Sequence, residues 1–126
     1  MVRELLHIVD STKYPLGAFM FVQRGLDYTV RQIHGEDASE TNEAQSRHVT
    51  GRQLCLGLRE FAVKQYGLMA RTVLKHWQIN NCEDFGHIVF AMVDAGLMHR
   101  SESDSIRDFA DVFDFDAAFS HELSLN

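Results

Sequence analysis

The most informative stretch of this 126-residue chain spans residues 82–97 and consists of CEDFGHIVFAMVDAGL. Asn81 precedes it and is a favourable N-cap, while two acids in its first turn lie at the positive end of the helix dipole. Apolar residues then follow on nearly every face, which is typical of a helix that is buried all round. Gly96 suits the left-handed conformation that ends many helices. The stretch therefore predicts a helix over about residues 82–95 at the centre of the core.

Two further helices are predicted immediately upstream. Thr50 and Gln53 have the spacing of a capping box, in which the hydroxyl accepts a backbone N–H and the glutamine side chain reaches back. The helix that they begin carries one apolar stripe, formed by Leu54, Cys55, Leu58, Phe61 and Ala62. Gly67 is expected to break or bend this helix. Helical spacing then resumes at Ala70, Val73, Leu74 and Trp77.

The N-terminal third is predicted to contain one long helix over residues 15–33. Pro15 suits a first helical turn because its missing N–H costs nothing there. Apolar residues follow at helical spacing, namely Phe19, Val22, Leu26, Val30 and Ile33. Gly25 inside this helix indicates a close contact with another helix. The polar, aperiodic residues 35–47 that follow predict a mobile loop.

The C-terminal quarter is predicted to hold short helical segments. Ile106, Phe109 and Phe113 are spaced by three and four residues, which predicts one short helix. Phe115 and Phe119 are four residues apart and mark a last helical turn.

No alternating apolar–polar pattern of useful length occurs, although residues 97–100 are compatible with a short β-strand. We therefore expect residues 1–126 to form a single all-α domain, with about five helices around the central apolar one. A winged-helix-like core is left open, since residues 69–77, 78–81 and 82–95 have the lengths of a helix-turn-helix. The residues expected to be buried together are Trp77, Phe85, Val89, Met92, Leu58 and Phe61.

Composition excludes several protein classes. A hydrophobic content of 45% with a single proline is incompatible with a mainly disordered chain. The longest apolar runs, residues 17–22 and 88–93, are far shorter than the ~20 residues needed to cross a bilayer. Residues 3–7 lack the apolar stretch of a signal peptide, so we expect a cytoplasmic protein that does not associate with membranes. Cys55 and Cys82 are too few for a disulfide framework and are expected to be core thiols.

The net charge of −6 is unevenly distributed along the chain. Residues 47–76 carry six basic side chains against one acidic side chain, whereas residues 77–126 carry two basic and ten acidic ones. Such an uneven charge distribution bears on which partners the protein binds, or on self-association, and gives no information about the fold. Four cations outside the apolar stripes form a candidate interaction surface, here called the basic strip: Arg52, Arg59, Arg71 and Lys75.

The acidic C-terminal region is expected to cover the basic strip within one molecule. Its phenylalanines need an apolar surface, and each buried Phe contributes about 1.5–3 kcal/mol, against about 1 kcal/mol at most for an exposed ion pair. We therefore expect apolar docking to dominate, with some of the acids in this region facing the strip. These acids are Glu102, Asp104, Asp108, Asp111, Asp114 and Asp116. An open strip would instead favour salt-sensitive binding of nucleic acid.

The sequence contains no recognisable catalytic or cofactor motif. The tightest cluster of candidate metal ligands is His76, Cys82 and His87, but it lacks the paired short spacings of zinc sites, so we expect no bound metal. A phosphate-binding loop, a dinucleotide-binding glycine pattern, a nucleophile elbow and paired catalytic carboxylates are also missing. The helix over residues 82–95 carries acids and no Lys or Arg, which disfavours recognition of duplex DNA by this helix.

Several runs belong to one pattern: VTGRQL at 49–54, VLKHW at 73–77, EDFGHIVF at 83–90, DAGL at 94–97, DF at 108–109 and FDF at 113–115, with Tyr14, Ala18, Phe19 and Phe21. This pattern resembles a family of short bacterial hypothetical proteins without an assigned activity. The resemblance implies a self-contained domain and implies nothing about chemistry. The family has glycine where this chain has Gln78, and a non-glycine residue in a left-handed helix end costs about 1 kcal/mol.

These observations favour a non-enzymatic domain that binds another protein or itself, without a cofactor. The alternative is a nucleic-acid-associated, winged-helix-like module, and a small metal-dependent enzyme ranks third.

Overall fold

The computed structural model describes residues 2–35, 48–98 and 105–120, and it has the all-α architecture that the sequence predicts. The helices are α1 (Val2–Ser11), α2 (Leu16–His34), α3 (Gly51–Tyr66), α4 (Ala70–His76), α5 (Cys82–Asp94) and α6 (Phe115–Ser120). Two 3-10 turns, Gly67–Met69 and Ile106–Phe109, lie between them. No strand occurs in these ranges, and residues 97 and 98, where a strand was the alternative, form a bend. The predicted loop falls, apart from Gly35, outside the described residues.

Helix α1 is the one element that the sequence analysis missed. Its apolar residues Leu5 and Ile8 are spaced by three and are buried against the rest of the core. The boundaries of α2, α3, α4 and α5 agree closely with the predicted ones. The break at Gly67 is confirmed, since α3 ends there and a 3-10 turn leads into α4.

Helix α5 lies at the centre of the molecule, as predicted. It packs against α1, α2, α3 and the 3-10 turn Ile106–Phe109, and Phe85 and Met92 on it have no solvent exposure. A capping box begins the helix. Asn81 accepts the backbone N–H of Asp84 at 3.0 Å, and the Asp84 carboxylate accepts the N–H of Asn81 at 3.2 Å. The capping box at Thr50 and Gln53 is also confirmed.

Most of the expected core is buried, namely Phe85, Met92, Leu58 and Val89. Trp77 and Phe61 are partly buried and pack against this core. Trp77 lies at the end of α4, and its indole covers Gly17 so closely that an added Cβ would come within 2.7 Å of its Nε1. Phe61 packs against Phe21 with ring centroids 5.5 Å apart. Both rings therefore form the rim of the core, with one side open to solvent.

Helices α2 and α3 cross at two glycines. An added Cβ at Gly25 would overlap Leu58 of α3, and an added Cβ at Gly57 would overlap Thr29 of α2. Thr29 is buried, and its hydroxyl donates to the carbonyl oxygen of Gly25 at 2.7 Å. The close helix contact predicted from Gly25 is therefore confirmed.

The C-terminal segment, defined here as residues 105–120, is fastened to the helices by Phe109. This ring is buried in a recess above two glycines, where an added Cβ would come within 3.1 Å of it at Gly51 and 2.8 Å at Gly86. A larger residue at either position would close the recess. The segment thus docks on the junction of α3 and α5.

The short helix predicted through Phe113 is wrong in length, because helical structure stops at Phe109. Ala110 is extended and Asp111 has a φ of +50°, so the chain turns away before Phe113. Ile106 remains 39% exposed, which makes the phenylalanines the main apolar contacts of the C-terminal segment. The last helical turn predicted from Phe115 and Phe119 is confirmed as α6.

Helices α4 and α5 end in the same motif with different residues. After α4, the N–H of Gln78 donates to the carbonyl of Lys75 at 3.0 Å and the N–H of Ile79 to that of Leu74 at 2.9 Å. This is a Schellman motif, which requires a left-handed residue. Gln78 has a φ of +68°, and Gly96 occupies the equivalent place after α5 with a φ of +80°.

Replacing Gln78 with glycine is therefore expected to raise the free energy of unfolding by about 0.5–1 kcal/mol, since glycine adopts this conformation without a steric penalty. Chemical denaturation measures the change, with an unaltered slope showing that compactness is the same. The matched control is Gly96→Gln, which should lower the stability by a similar amount. Loss of stability in Gln78→Gly would mean that the exposed Gln78 side chain contributes more than the backbone strain costs.

Candidate functional site

The basic strip lies on two consecutive helices, with Arg52 and Arg59 on α3 and Arg71 and Lys75 on α4. Three of these cations are exposed, as expected. Arg71 is the exception, since its side chain is only 24% exposed. The C-terminal segment lies over it.

Contacts with this segment engage half of the basic strip. The Arg71 guanidinium lies over the ring of Phe115, 5.6 Å from its centroid, and its Nε is 3.5 Å from a carboxylate oxygen of Asp116. Arg59 lies over the ring of Phe113 at 5.4 Å. Cation–π contacts of this kind contribute about 0.5–1 kcal/mol at exposed sites. The aromatic rings therefore hold the two arginines at least as firmly as the carboxylate does.

Apolar contacts dominate the docking of the C-terminal segment. Phe109, Phe115 and Phe119 are 4%, 3% and 1% exposed, and the Phe115 ring meets that of Phe85 with centroids 5.6 Å apart. The carboxylate of Asp116, by contrast, is 86% exposed, so its ion pair is weak. The phenylalanines thus dock on the body of the domain as the sequence analysis expected.

Asp116 faces the basic strip, as expected of some acids in this segment, whereas two other acids of the segment cap its own turns. Asp108 accepts the backbone N–H of Ser105 at 2.9 Å and caps the 3-10 turn, and Asp114 accepts that of Ala117 at 2.9 Å at the start of α6. Glu102 and Asp104 lie outside the described residues. Asp116, and not Asp108, forms the ion pair with the basic strip. The Asp108 carboxylate instead accepts a hydrogen bond within its own 3-10 turn.

A second surface, which the sequence analysis did not single out, lies beside the strip. Leu68 and Met69 are 53% and 55% exposed, and Thr72, Lys75 and His76 of α4 are also exposed. We call these five residues the α4 face. The sequence could have indicated this surface, because Leu68 and Met69 are large apolar residues that lie outside the apolar stripe resuming at Ala70.

The residues considered as metal ligands do not converge. His76 and His87 are exposed on different helices, and Cys82 is buried. Within the described ranges, no group of three or more His, Cys, Asp or Glu side chains is placed to hold a metal ion.

Asp84 is a buried carboxylate with a complete set of donors. It is 5% exposed, accepts the Tyr14 hydroxyl at 2.5 Å and the N–H of Asn80 at 2.7 Å, and lies 3.7 Å from the ammonium of Lys13. Burial, followed by the hydrogen bond to Asp84, raises the pKa of the Tyr14 hydroxyl. These hydrogen bonds engage the lone pairs of the carboxylate, and together they connect the start of α5 to the chain that precedes α2.

The helix-turn-helix lengths are present in α4 and α5, but α5 offers little surface to a partner. His87 and Asp94 are its exposed residues, because its remaining faces meet four other elements. A groove-binding helix needs several donors directed outward.

Comparison with protein-family models, curated proteins and solved structures finds no significant match. The family resemblance described above therefore stays a prediction. In the parts of the chain that the structure describes, no helix combines the length and apolarity needed to cross a membrane.

Proposed function

We propose that this protein is a non-enzymatic, cytoplasmic domain that binds a protein partner through the α4 face. The observation that carries the proposal is the exposure of Leu68 and Met69, two adjacent large apolar side chains that are each more than half exposed. Clustered apolar exposure beside polar residues is typical of interaction sites. Covering one such side chain contributes about 1.5–3 kcal/mol at most, so the pair alone supports a moderate affinity.

The chemistry of the α4 face favours a partner segment that is apolar and acidic. Lys75 and His76 of this face are exposed, and Lys75 forms no ion pair with any described residue. An acidic segment would complement the charge of Lys75 and guide the encounter. A second copy presents exposed acids of its C-terminal segment, Asp111 and Asp114 among them, so self-association is the simplest form of this binding.

Nucleic-acid binding by the basic strip is supported less well. Two of its four cations, Arg59 and Arg71, already lie over phenylalanine rings of the C-terminal segment. Affinity for nucleic acid depends on the number of phosphates that a protein can neutralise, so a strip reduced in this way binds weakly.

The test compares wild type with the double variant Leu68→Gln/Met69→Gln. Sedimentation of the purified proteins detects self-association, and capture from extracts of the source cells, in low and high salt, detects other partners. We expect the double variant to keep its thermal stability, because both side chains are exposed, and to lose either association. The matched control is Leu6→Gln, since Leu6 on α1 is 50% exposed and lies outside the α4 face.

Equal association by wild type and the double variant would overturn the assignment to the α4 face. Salt-sensitive capture of nucleic acid that is lost in Arg52→Gln/Lys75→Gln would favour the nucleic-acid alternative.

A further inference from the structure

The C-terminal segment is held to the helices by side chains and not by its backbone. In the described ranges, its backbone-to-backbone hydrogen bonds are internal. The N–H of Asp108 donates to the carbonyl oxygen of Ser105 at 3.0 Å, and that of Ala118 to Asp114 at 2.8 Å. Both of its short helical turns are capped by its own side chains as well. Undocking breaks none of these hydrogen bonds, so the segment is attached in the way that a bound peptide is.

The polar contacts that cross from the segment to the helices are few and weak. The thiol of Cys82, which like Cys55 is buried as predicted, donates to the carbonyl oxygen of Phe113 at 3.3 Å, and thiols are weak donors. The Asp116 carboxylate, 3.5 Å from Arg71, is mostly exposed. The Nη1 of Arg71 is buried without a hydrogen-bond partner among the described residues. The docked state thus holds a cationic donor that lacks an acceptor, which weakens it.

The surface beneath the segment, here called the aromatic groove, favours phenylalanine and negative charge. Gly51 and Gly86 form the floor of the recess that the ring of Phe109 fills. Arg59 and Arg71 each lie over a further phenylalanine ring of the segment. These contacts depend on side-chain chemistry and spacing, and none of them requires that the ligand belong to the same chain.

We propose that the aromatic groove is the binding site for an acidic, phenylalanine-containing segment of a partner protein, and that residues 105–120 compete for it from within the chain. The partner segment places one phenylalanine in the recess at Gly51 and Gly86 and two further rings under the arginines. The groove shares no residue with the α4 face, so this proposal does not rest on the proposed function.

Competition within the chain sets the affinity for an outside segment. A segment tethered to the same chain has an effective concentration of about millimolar at its site. An outside segment with the same contacts therefore binds wild type with an apparent dissociation constant in that range. Two changes strengthen this binding: a weaker resident segment, or a partner segment that offers an acceptor to Nη1 of Arg71. The resident segment thus restricts the groove to partners that bind better than it does.

The first experiment adds an unlabelled synthetic peptide of residues 105–120, with capped ends, to isotope-labelled full-length wild type. At millimolar peptide, we expect the amide signals of the resident segment, among them that of Phe109, to move toward the positions of an unfolded chain. The signals of Gly51 and Gly86 should keep their positions, because the peptide restores the same contacts. Unchanged signals of the resident segment at about 10 mM peptide would overturn the proposal.

The second experiment weakens the resident ligand and leaves the groove intact. By fluorescence anisotropy, a labelled peptide of residues 105–120 should bind full-length Phe109→Ala at least about ten-fold more tightly than wild type. The same peptide with Phe109→Ala should not bind. The matched control is Arg107→Gln in the full-length chain, an exposed position of the same turn, which should keep the weak wild-type affinity.

Two further variants locate the peptide. Gly86→Ala closes the recess from α5, since the added Cβ would lie 2.8 Å from the ring of Phe109, and this variant should bind no peptide. Leu68→Gln/Met69→Gln in the Phe109→Ala chain should bind it as tightly as Phe109→Ala alone. Binding by Gly86→Ala, loss of binding without Leu68 and Met69, or equal affinity of wild type and Phe109→Ala would each overturn the proposal. If Phe109→Ala does not fold, as circular dichroism would show, the wild-type displacement experiment decides.

Discussion

The Val89→Asp protein is expected to be unfolded under conditions where wild type is stable. Val89 lies on the central helix α5 and is 8% exposed. An unpaired carboxylate at such a position costs several kcal/mol, against a total stability of about 5–15 kcal/mol for a domain of this kind. Far-ultraviolet circular dichroism and a thermal melt would show the loss of helical structure and of the cooperative transition.

The control for this substitution is His87→Asp on the same helix. His87 is exposed, so the new carboxylate remains hydrated and the change should stay within about 0.5 kcal/mol. If both variants melted within a few degrees of wild type, α5 would not be the central element of the core.

Replacing Asp84 with alanine is expected to lower the free energy of unfolding by about 2–4 kcal/mol. The substitution removes the acceptor for the backbone N–H groups of Asn80 and Asn81, and it leaves the hydroxyl of the buried Tyr14 without its partner. Loss of a cap costs about 1 kcal/mol, and a buried donor without a partner costs about 1–3 kcal/mol more. Equilibrium denaturation in urea measures the combined change in the free energy of unfolding.

Two variants separate the contributions at this site. Glu83→Ala removes the neighbouring acid of the same helical turn, which makes none of these hydrogen bonds, and should cost well under 1 kcal/mol. Tyr14→Phe removes only the hydroxyl. In the Asp84→Ala background it should be nearly neutral or stabilising, because the hydroxyl has already lost its partner. A full additional cost there would show that Tyr14 and Asp84 act independently.

Local sequence signals predicted the parts of this fold that depend on neighbouring residues. The capping box at Thr50, the N-cap at Asn81 and the left-handed Gly96 were all identified, because caps involve residues within one helical turn of each other. Helix α1 was missed although Leu5 and Ile8 carry its periodicity. Its apolar residues Leu5, Ile8 and Val9 follow helical spacing as clearly as those of the helices that were predicted, so the sequence was sufficient to predict this helix.

The features of the candidate sites that involve distant residues were not predictable in this way. The hydrogen bond between Tyr14 and Asp84 spans 70 positions, and no local pattern links the two residues. The half-buried state of Arg71 depends on where the C-terminal segment docks. Residue types indicated which groups were available, and tertiary packing determined which of them meet.

The glycine crossing of α2 and α3 has a consequence for the alignment of these helices. If α3 slid by one turn, the residue presented to Thr29 would be Gln53 or Phe61 in place of Gly57. Neither fits where an added Cβ already overlaps a neighbouring side chain. Two amphipathic stripes alone tolerate several registers of similar energy. Here the side chains of Gln53 or Phe61 would overlap Thr29 in the alternative registers, so a single alignment of the two helices remains.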